Sequence, residues 1–154
     1  EARQIAQAVK FPPIGNRGID GAGLDADYAI DVDNFTDNAN AETFVILQIE
    51  TLNALEQAEE IAGVEGVDGI FVGPADLSLR LGLTPGAPTL SEAMQQVADA
   101  AARQGKAWGT AGGGVEEWKQ YRQMGAQLLI GAGDFALRDV LEEAKENMNA
   151  ALGD

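Results

Sequence analysis

The sequence predicts an α/β fold in which a parallel sheet is covered by helices. Four short apolar runs, at 44–47, 69–72, 106–110 and 128–130, have the length and composition of buried strands. Each run is followed by a segment whose apolar residues recur at helical spacing. Alternating strands and helices form parallel sheets with the helices outside. The 154 residues suit one domain, 1–154.

The chain begins with a predicted helix over residues 1–10. Ile5, Ala8 and Val9 share one face of this helix. The helix should end at Phe11-Pro12-Pro13, because proline lacks the N–H that a continuing helix needs. We expect a processed or truncated product, since the chain lacks an initial Met and opens inside a helical pattern.

A long loop and a polar segment separate this helix from the first strand. Residues 14–27 carry four glycines and no clear period, which predicts a glycine-rich loop. Arg17 is its one basic residue and could bind an anionic substrate. We favour the other interpretation, in which Arg17 holds loop carbonyls. Residues 28–43 are polar and are predicted to be partly helical.

Two strand–helix units follow. The run Phe44–Leu47 continues into Gln48-Ile49-Glu50, and apolar residues at helical spacing over 52–62 predict the helix behind it. After a turn at 63–66, the second strand at 69–72 ends in Gly73-Pro74-Ala75-Asp76. A short helix at 77–81 and a Gly/Pro loop to residue 88 complete this unit.

The third and fourth units are built in the same way. Thr89 and Glu92 have the spacing of a capping box, and Met94, Val97, Ala98 and Ala101 form the apolar stripe of the helix behind them. A weaker strand at 106–110 leads to the loop 111–114 and to a helix marked by Val115, Trp118 and Tyr121. The last strand, 128–130, precedes a final helix over 135–151, with Asp134 as its predicted N-cap and Val140, Ala144 and Met148 on one face.

Four strand–helix units leave two architectures open. A complete (β/α)₈ barrel needs about 250 residues and eight strands. The chain is therefore either a small open sheet or about half of a barrel.

Composition excludes several classes of function. With 25 acidic and 10 basic residues the net charge is −15, which argues against nucleic-acid and anionic-membrane partners. No apolar run reaches the roughly 20 residues that span a bilayer, and we expect a cytoplasmic protein. Cys and His are absent, so thiolate chemistry, a Ser-His-Asp triad and zinc sites built on Cys or His are excluded. A metal here must be bound by oxygen, which favours Mg²⁺, Mn²⁺ or Ca²⁺.

Polar residues at two strand ends predict a candidate site. Gln48 and Glu50 are two apart on a strand and so share one face. Asp76 lies just past the next strand, and in parallel α/β folds the strand ends form the ligand-binding rim. Two carboxylates and an amide suit a hard divalent cation. The alternative is that strand ends are simply solvated.

Three glycine-containing turns could approach an anion. Gly73-Pro74-Ala75-Asp76 leaves backbone N–H groups open to a small carboxylate, or is a tight strand-to-helix turn. The run 112–114 lacks the P-loop Lys and is interpreted as a flexible rim loop. The turn 131–134 has the same form, and Asp134 is interpreted as a helix cap rather than a ligand.

Three segments together resemble a known family. Residues 10–18 (KFPPIGNRG), 45–51 (VILQIET) and 66–78 (GVDGIFVGPADLS) resemble the HpcH/HpaI aldolases in order and spacing. These are class II, metal-dependent pyruvate aldolases, related to 4-hydroxy-2-oxoheptanedioate aldolase and 2-keto-3-deoxy-sugar-acid aldolases. The resemblance extends over essentially the whole chain.

The resemblance implies a fold, a reaction and a set of residues. The fold would be a (β/α)₈ barrel of the phosphoenolpyruvate/pyruvate type, with this chain as its C-terminal half. The reaction would be reversible aldol cleavage of a 2-keto-4-hydroxy acid to pyruvate and an aldehyde. Glu50 and Asp76 would bind Mg²⁺ or Mn²⁺, with Co²⁺ as a further candidate. Gln48 would contact the substrate, and the backbone at Ala75 and Asp76 would hold the pyruvate carboxylate.

The resemblance also implies partners and departures. Family members are usually homo-oligomers, often hexamers, with the last helix exchanged between subunits, a role that 135–151 would fill. The family's catalytic His and Arg lie on early strands that this chain lacks, so we expect no catalytic base here and activity only with the N-terminal half. The alternatives are a non-catalytic half-barrel that binds a keto acid or a metal, a structural subunit with a vestigial site, and a citrate-lyase-type lyase.

Overall fold

The computed structural model describes residues 1–20, 23, 24, 28, 32–131 and 133–153. Its four strands are β1 (Ile46–Ile49), β2 (Gly69–Val72), β3 (Ala107–Ala111) and β4 (Leu128–Ile130). Its helices are α1 (Ala2–Val9), α2 (Val32–Glu42), α3 (Leu52–Glu56), α4 (Ala58–Ala62), α5 (Pro74–Gly82), α6 (Leu90–Arg103), α7 (Val115–Gln123) and α8 (Gly133–Leu152). None of the helices in the described ranges is long and apolar enough to cross a bilayer.

The four strands form one parallel sheet in the order β1-β2-β3-β4. Each strand is therefore hydrogen-bonded to the next one along the chain, and each connection passes through helix. This sequential order is that of a barrel wall, whereas doubly wound sheets reverse direction at a switch point. The predicted parallel α/β architecture of four strand–helix units is confirmed.

The hydrophobic core lies between one face of the sheet and the helices, mainly α3 to α7. Its members from the strands alternate along the chain, as a pleated strand requires. They include Ile49, Ile70, Val72 and Trp108, all at most 3% exposed. Val97 of α6 is fully buried against them.

The opposite face of the sheet, which we call the inner face, carries Gln48, Phe71, Leu128 and Ile130. Register places Phe71 beside Gln48, and Ile130 beside Ala111 of β3. Leu128 and Ile130 are 36% and 52% exposed. In a closed barrel this face would be the packed interior. Half a barrel leaves this face of its sheet without the opposite wall, which accounts for the exposure.

Helix α6 begins as the sequence predicts. The backbone N–H and the hydroxyl of Thr89 donate to the Glu92 carboxylate, and the Glu92 N–H donates back to Thr89. These bonds, that from the Thr89 backbone most of all, lower the pKa of the Glu92 carboxyl below its usual value. Four apolar residues predicted for this helix are buried: Met94, Val97, Ala98 and Ala101.

Several predicted boundaries need correction. The first strand begins at Ile46 rather than Phe44, which is 73% exposed. The helix predicted over 52–62 is divided at Gln57 into α3 and α4. The third strand spans Ala107–Ala111 instead of 106–110. Helix α5 starts at Pro74, three residues early, because Pro suits the first helical position.

The helices marked by Ile5, Ala8 and Val9 and by Val115, Trp118 and Tyr121 are confirmed, although not all of these apolar residues are buried, and the predicted cap of the last helix is wrong. In α1 the buried residue is Ala6, whereas Ile5 and Ala8 are exposed. Val115 opens α7 but is 64% exposed. Asp134 lies within the first turn of α8 rather than preceding it as a cap.

The glycine-rich loop predicted at 14–27 is irregular over residues 15–20, and 21, 22 and 25–27 lie outside the described residues. The partly helical prediction for 28–43 is confirmed by α2.

The segment after α1 is anchored beside the amino-terminal ends of β1 and β2. Lys10 is 4% exposed, and its ammonium group donates to the carbonyls of Asn40 and Thr43. The same group lies 3.6 Å from Asp68 Oδ2, which accepts the Val45 N–H at 2.7 Å. These contacts hold α1 and α2 against the amino edge of the sheet, the edge at which the strands begin.

Candidate functional site

Gln48 and Glu50 lie where β1 ends, at the carboxyl edge of the sheet. Leu47 and Ile49 are buried on the helix side, so pleating directs Gln48 to the inner face. Gln48 is exposed and Glu50, just past the strand, is half-buried. The predicted placement of both residues at this rim is confirmed.

Both side chains lie against Gly73, the residue that follows β2. A Cβ placed on Gly73 would be 2.9 Å from Gln48 Nε2, 3.2 Å from Glu50 Cβ and 3.3 Å from Glu50 Oε2. Any larger residue at this buried position would push the amide and the carboxylate apart. Glycine here therefore allows two polar side chains, one from β1 and one just past it, to converge on the end of β2.

Helix α5 starts at the same point and presents backbone donors. Gly73 is the N-cap, and it has no side chain with which to cap the first turn. Pro74 has no N–H, so the first-turn donors are those of Ala75 and Asp76. The positive end of the helix adds to their attraction for an anion. The geometry suits the carboxylate of a small substrate.

Asp76 occupies the first turn of α5 and is bound by a residue that sequence reasoning missed. Arg80 Nη1 donates to Asp76 Oδ1 at 2.9 Å and to the Asp76 carbonyl at 3.0 Å. The Asp76 side chain is 58% exposed and the Arg80 side chain is 39% exposed. The available signal was the i,i+4 spacing of an acid and a base on one helix.

The donor set fits a hard divalent cation that keeps several water or substrate ligands. Glu50 and Asp76 supply carboxylate oxygens and Gln48 an amide oxygen, and Mg²⁺ typically takes only one or two carboxylates from the protein. Among the described residues there is no cluster of three or more His, Cys, Asp and Glu. The residues thus fit an open site and do not fit a cage made by protein alone.

The glycine run 112–114 has a packing explanation. A Cβ on Gly112 would be 3.0 Å from the Trp118 ring, and one on Gly131 would overlap it at 2.2 Å. The Gly113 N–H donates to Glu117 Oε2 at 2.9 Å, which places an acidic group at the start of α7. An anion would be repelled there, in agreement with the interpretation of a rim loop rather than a phosphate cradle.

Arg17 lies away from the candidate site. Its guanidinium stacks 4.6 Å above the centroid of the Phe11 ring, and its backbone N–H, not the side chain, donates to the Lys10 carbonyl. Lys10 contacts residues that precede β1 and β2, so this region belongs to the amino edge of the sheet. The geometry favours the structural interpretation of Arg17 over substrate binding.

Comparison with known proteins identifies the family. The family model described as HpcH/HpaI aldolase/citrate lyase matches residues 1–137. A hydroxypyruvate/pyruvate aldolase of Sagittula stellata is 43% identical over 103 residues, which are 67% of this chain and 40% of that protein. A 4-hydroxy-2-oxo-heptane-1,7-dioate aldolase of Escherichia coli is 34% identical over 155 residues, covering 99% of this chain and 58% of the relative.

The fold comparison gives the same result. The crystal structure of an HpcH/HpaI aldolase from Desulfitobacterium hafniense superposes with a TM-score of 0.84 at 30% identity, over 96% of this chain and 58% of that one. The chain thus spans somewhat more than half the length of relatives that it matches nearly end to end. Its α/β fold consists of four consecutive strand–helix units of a (β/α)₈ barrel. On these grounds the chain belongs to the HpcH/HpaI aldolase/citrate lyase family.

Proposed function

We propose that the protein is a divalent-metal-dependent carbon–carbon lyase that cleaves a 2-keto-4-hydroxy acid reversibly to pyruvate and an aldehyde. The observation that carries the proposal is the convergence of Gln48 and Glu50 on Gly73, where α5 begins and Asp76 follows. The names of the two aldolase relatives support the reaction class. A cytoplasmic location stays a prediction.

Each residue of the site has a proposed task. Glu50 and Asp76 would bind Mg²⁺ or Mn²⁺, with Co²⁺ as a further candidate. Gln48 would orient the substrate through its amide, and the N–H groups of Ala75 and Asp76 would hold the pyruvate carboxylate. A bound cation supplies positive charge that stabilises the negative charge developing on the keto oxygen during cleavage.

We propose that proton transfer uses a group from outside this chain. The sequence has no His, and the strands that would carry the family's His and Arg are not among its four. We therefore propose that turnover requires the N-terminal half of the barrel, which would also cover the inner face of the sheet. Binding of pyruvate and metal without turnover is the behaviour expected of this chain by itself.

Metal binding to this chain tests the site. Titration of the 154-residue chain with MnCl₂ by calorimetry should show saturable binding, and Asp76→Asn should weaken it at least about tenfold, because a charged oxygen ligand is lost. Asp99→Asn is the matched control, since it removes the same charge from an exposed position on α6. A folded chain that binds no Mn²⁺, or binds it equally in Asp76→Asn, would contradict the proposed site.

We further propose that α8 mediates homo-oligomerisation by exchange between subunits. This helix of 20 residues has no buried member among those described. Its large apolar residues are all more than 60% exposed: Phe135, Leu137, Val140, Leu141, Met148 and Leu152. Several of them recur at helical spacing and form a stripe, which a second copy would cover.

A substitution in the stripe tests this role of α8. Leu141→Glu places a charge in the apolar stripe and should shift the chain from an oligomer to a monomer in sedimentation velocity at micromolar concentration. Glu143→Gln, a change of charge on the same exposed helix, should leave the oligomer intact. A wild-type chain that sediments as a monomer would refute the exchange, as would a Leu141→Glu variant that remains oligomeric.

A further inference from the structure

The Arg80–Asp76 contact affects the metal selectivity of the candidate cation site. One guanidinium nitrogen, Arg80 Nη1, bonds both Asp76 Oδ1 and the Asp76 carbonyl oxygen. Both acceptors belong to one residue, so the contact fixes the side chain relative to its own backbone. In the described part of the chain, Asp76 Oδ2 accepts no hydrogen bond. The carboxylate thus has one oxygen occupied and one oxygen available.

The two carboxylate oxygens matter differently to different cations. Mg²⁺ demands near-octahedral geometry and takes one oxygen from each carboxylate, and Mn²⁺ prefers similar ligands. Ca²⁺ accepts six to eight ligands and readily binds both oxygens of one carboxylate. A carboxylate with Oδ1 held by an arginine offers one oxygen and meets only the first requirement.

We propose that Arg80 is a positioning residue that keeps Asp76 in a single-oxygen binding mode and so biases the site toward Mg²⁺ and Mn²⁺ over Ca²⁺. This inference rests on the proposed function, because it assumes that Asp76 binds the cation. Arg80 and Asp76 can stay in contact along α5, since residues four apart lie on the same helix face. The pair is half-exposed, so the contact adds little to the stability of the fold.

The ratio of two affinities separates this role from simple charge. Arg80→Met keeps most of the apolar stem and removes the donor. Loss of a nearby positive charge should strengthen binding of every divalent cation to a similar degree, so it cancels in a ratio. Release of Oδ1 should favour Ca²⁺ alone. The ratio Kd(Ca²⁺)/Kd(Mn²⁺) should therefore fall by about fivefold in Arg80→Met.

Titrations of this chain with MnCl₂ and CaCl₂ test the proposal. Arg80→Lys, which keeps a cation at the same helix position, should restore the ratio in part, whereas Arg103→Met, which breaks an exposed pair with Glu59, should leave it unchanged. A change in Arg80→Met of less than about twofold, or one that disfavours Ca²⁺, overturns the inference. If Asp76→Asn still binds Mn²⁺ normally, the metal site itself is wrong and both proposals fail.

Discussion

Glu50→Gln should lower the rate of pyruvate release from a 4-hydroxy-2-keto acid by about 10³-fold or more in the complete barrel. Glu50 and Asp76 are the two proposed anionic ligands, so loss of one removes half of the charge that holds the cation. The replacement has the same length and shape, so it fits the same space beside Gly73. The effect should therefore appear in metal-dependent activity and not in folding. The released pyruvate can be measured at saturating Mn²⁺ with a coupling enzyme that oxidises NADH as it reduces pyruvate.

A matched variant makes this prediction specific. Glu56→Gln carries the same chemical change at an exposed position on α3, close to Glu50 in sequence, and should retain wild-type activity. Circular dichroism should show the same helix content for the wild type, Glu50→Gln and Glu56→Gln. Activity of Glu50→Gln within about tenfold of the wild type would contradict the assignment of Glu50 as a metal ligand.

The strands and the carboxyl-edge residues could be predicted because local patterns determine them. The boundaries of β2 and β4 agree with the apolar runs, and Gln48 and Glu50 lie at the edge that alternation along a parallel strand implies. The apolar run that predicts β1 starts two residues before the strand itself, for an identifiable reason. The Val45 N–H donates to the Asp68 side chain instead of joining the strand ladder, a long-range contact that the apolar run does not record.

Two features of the rim depend on how side chains pack and point, which residue types and spacing do not determine. Gly112 and Gly131 have the composition of an anion-binding turn, but Trp118 requires them, since a Cβ at either position would crowd its ring. Arg80 gives no distinctive signal in the sequence, because an acid and a base four residues apart usually form an ordinary surface pair. Its position matters here only because Asp76 belongs to the candidate site.

Lys10→Met should reduce the free energy of unfolding by about 3 kcal/mol, because it removes a buried, hydrogen-bonded cation. Lys10 is 4% exposed and donates to the carbonyls of Asn40 and Thr43. Methionine fills a similar volume but leaves these acceptors without a donor. It also removes the cation 3.6 Å from Asp68, whose carboxylate binds the Val45 N–H.

A second lysine provides a comparison that separates the loss of one hydrogen bond from the loss of the whole set of contacts that Lys10 makes. Lys106 donates to a single carbonyl, that of Val67, at 2.6 Å, and it has no carboxylate partner among the described residues. Lys106→Met should therefore cost only about 1 kcal/mol. Urea unfolding of both variants, followed by circular dichroism, measures the difference. Equal losses of stability in the two variants would show that Lys10 acts only as a hydrogen-bond donor, as Lys106 does. A larger loss in Lys10→Met would show that Lys10 joins α1, α2 and the strand that follows Asp68.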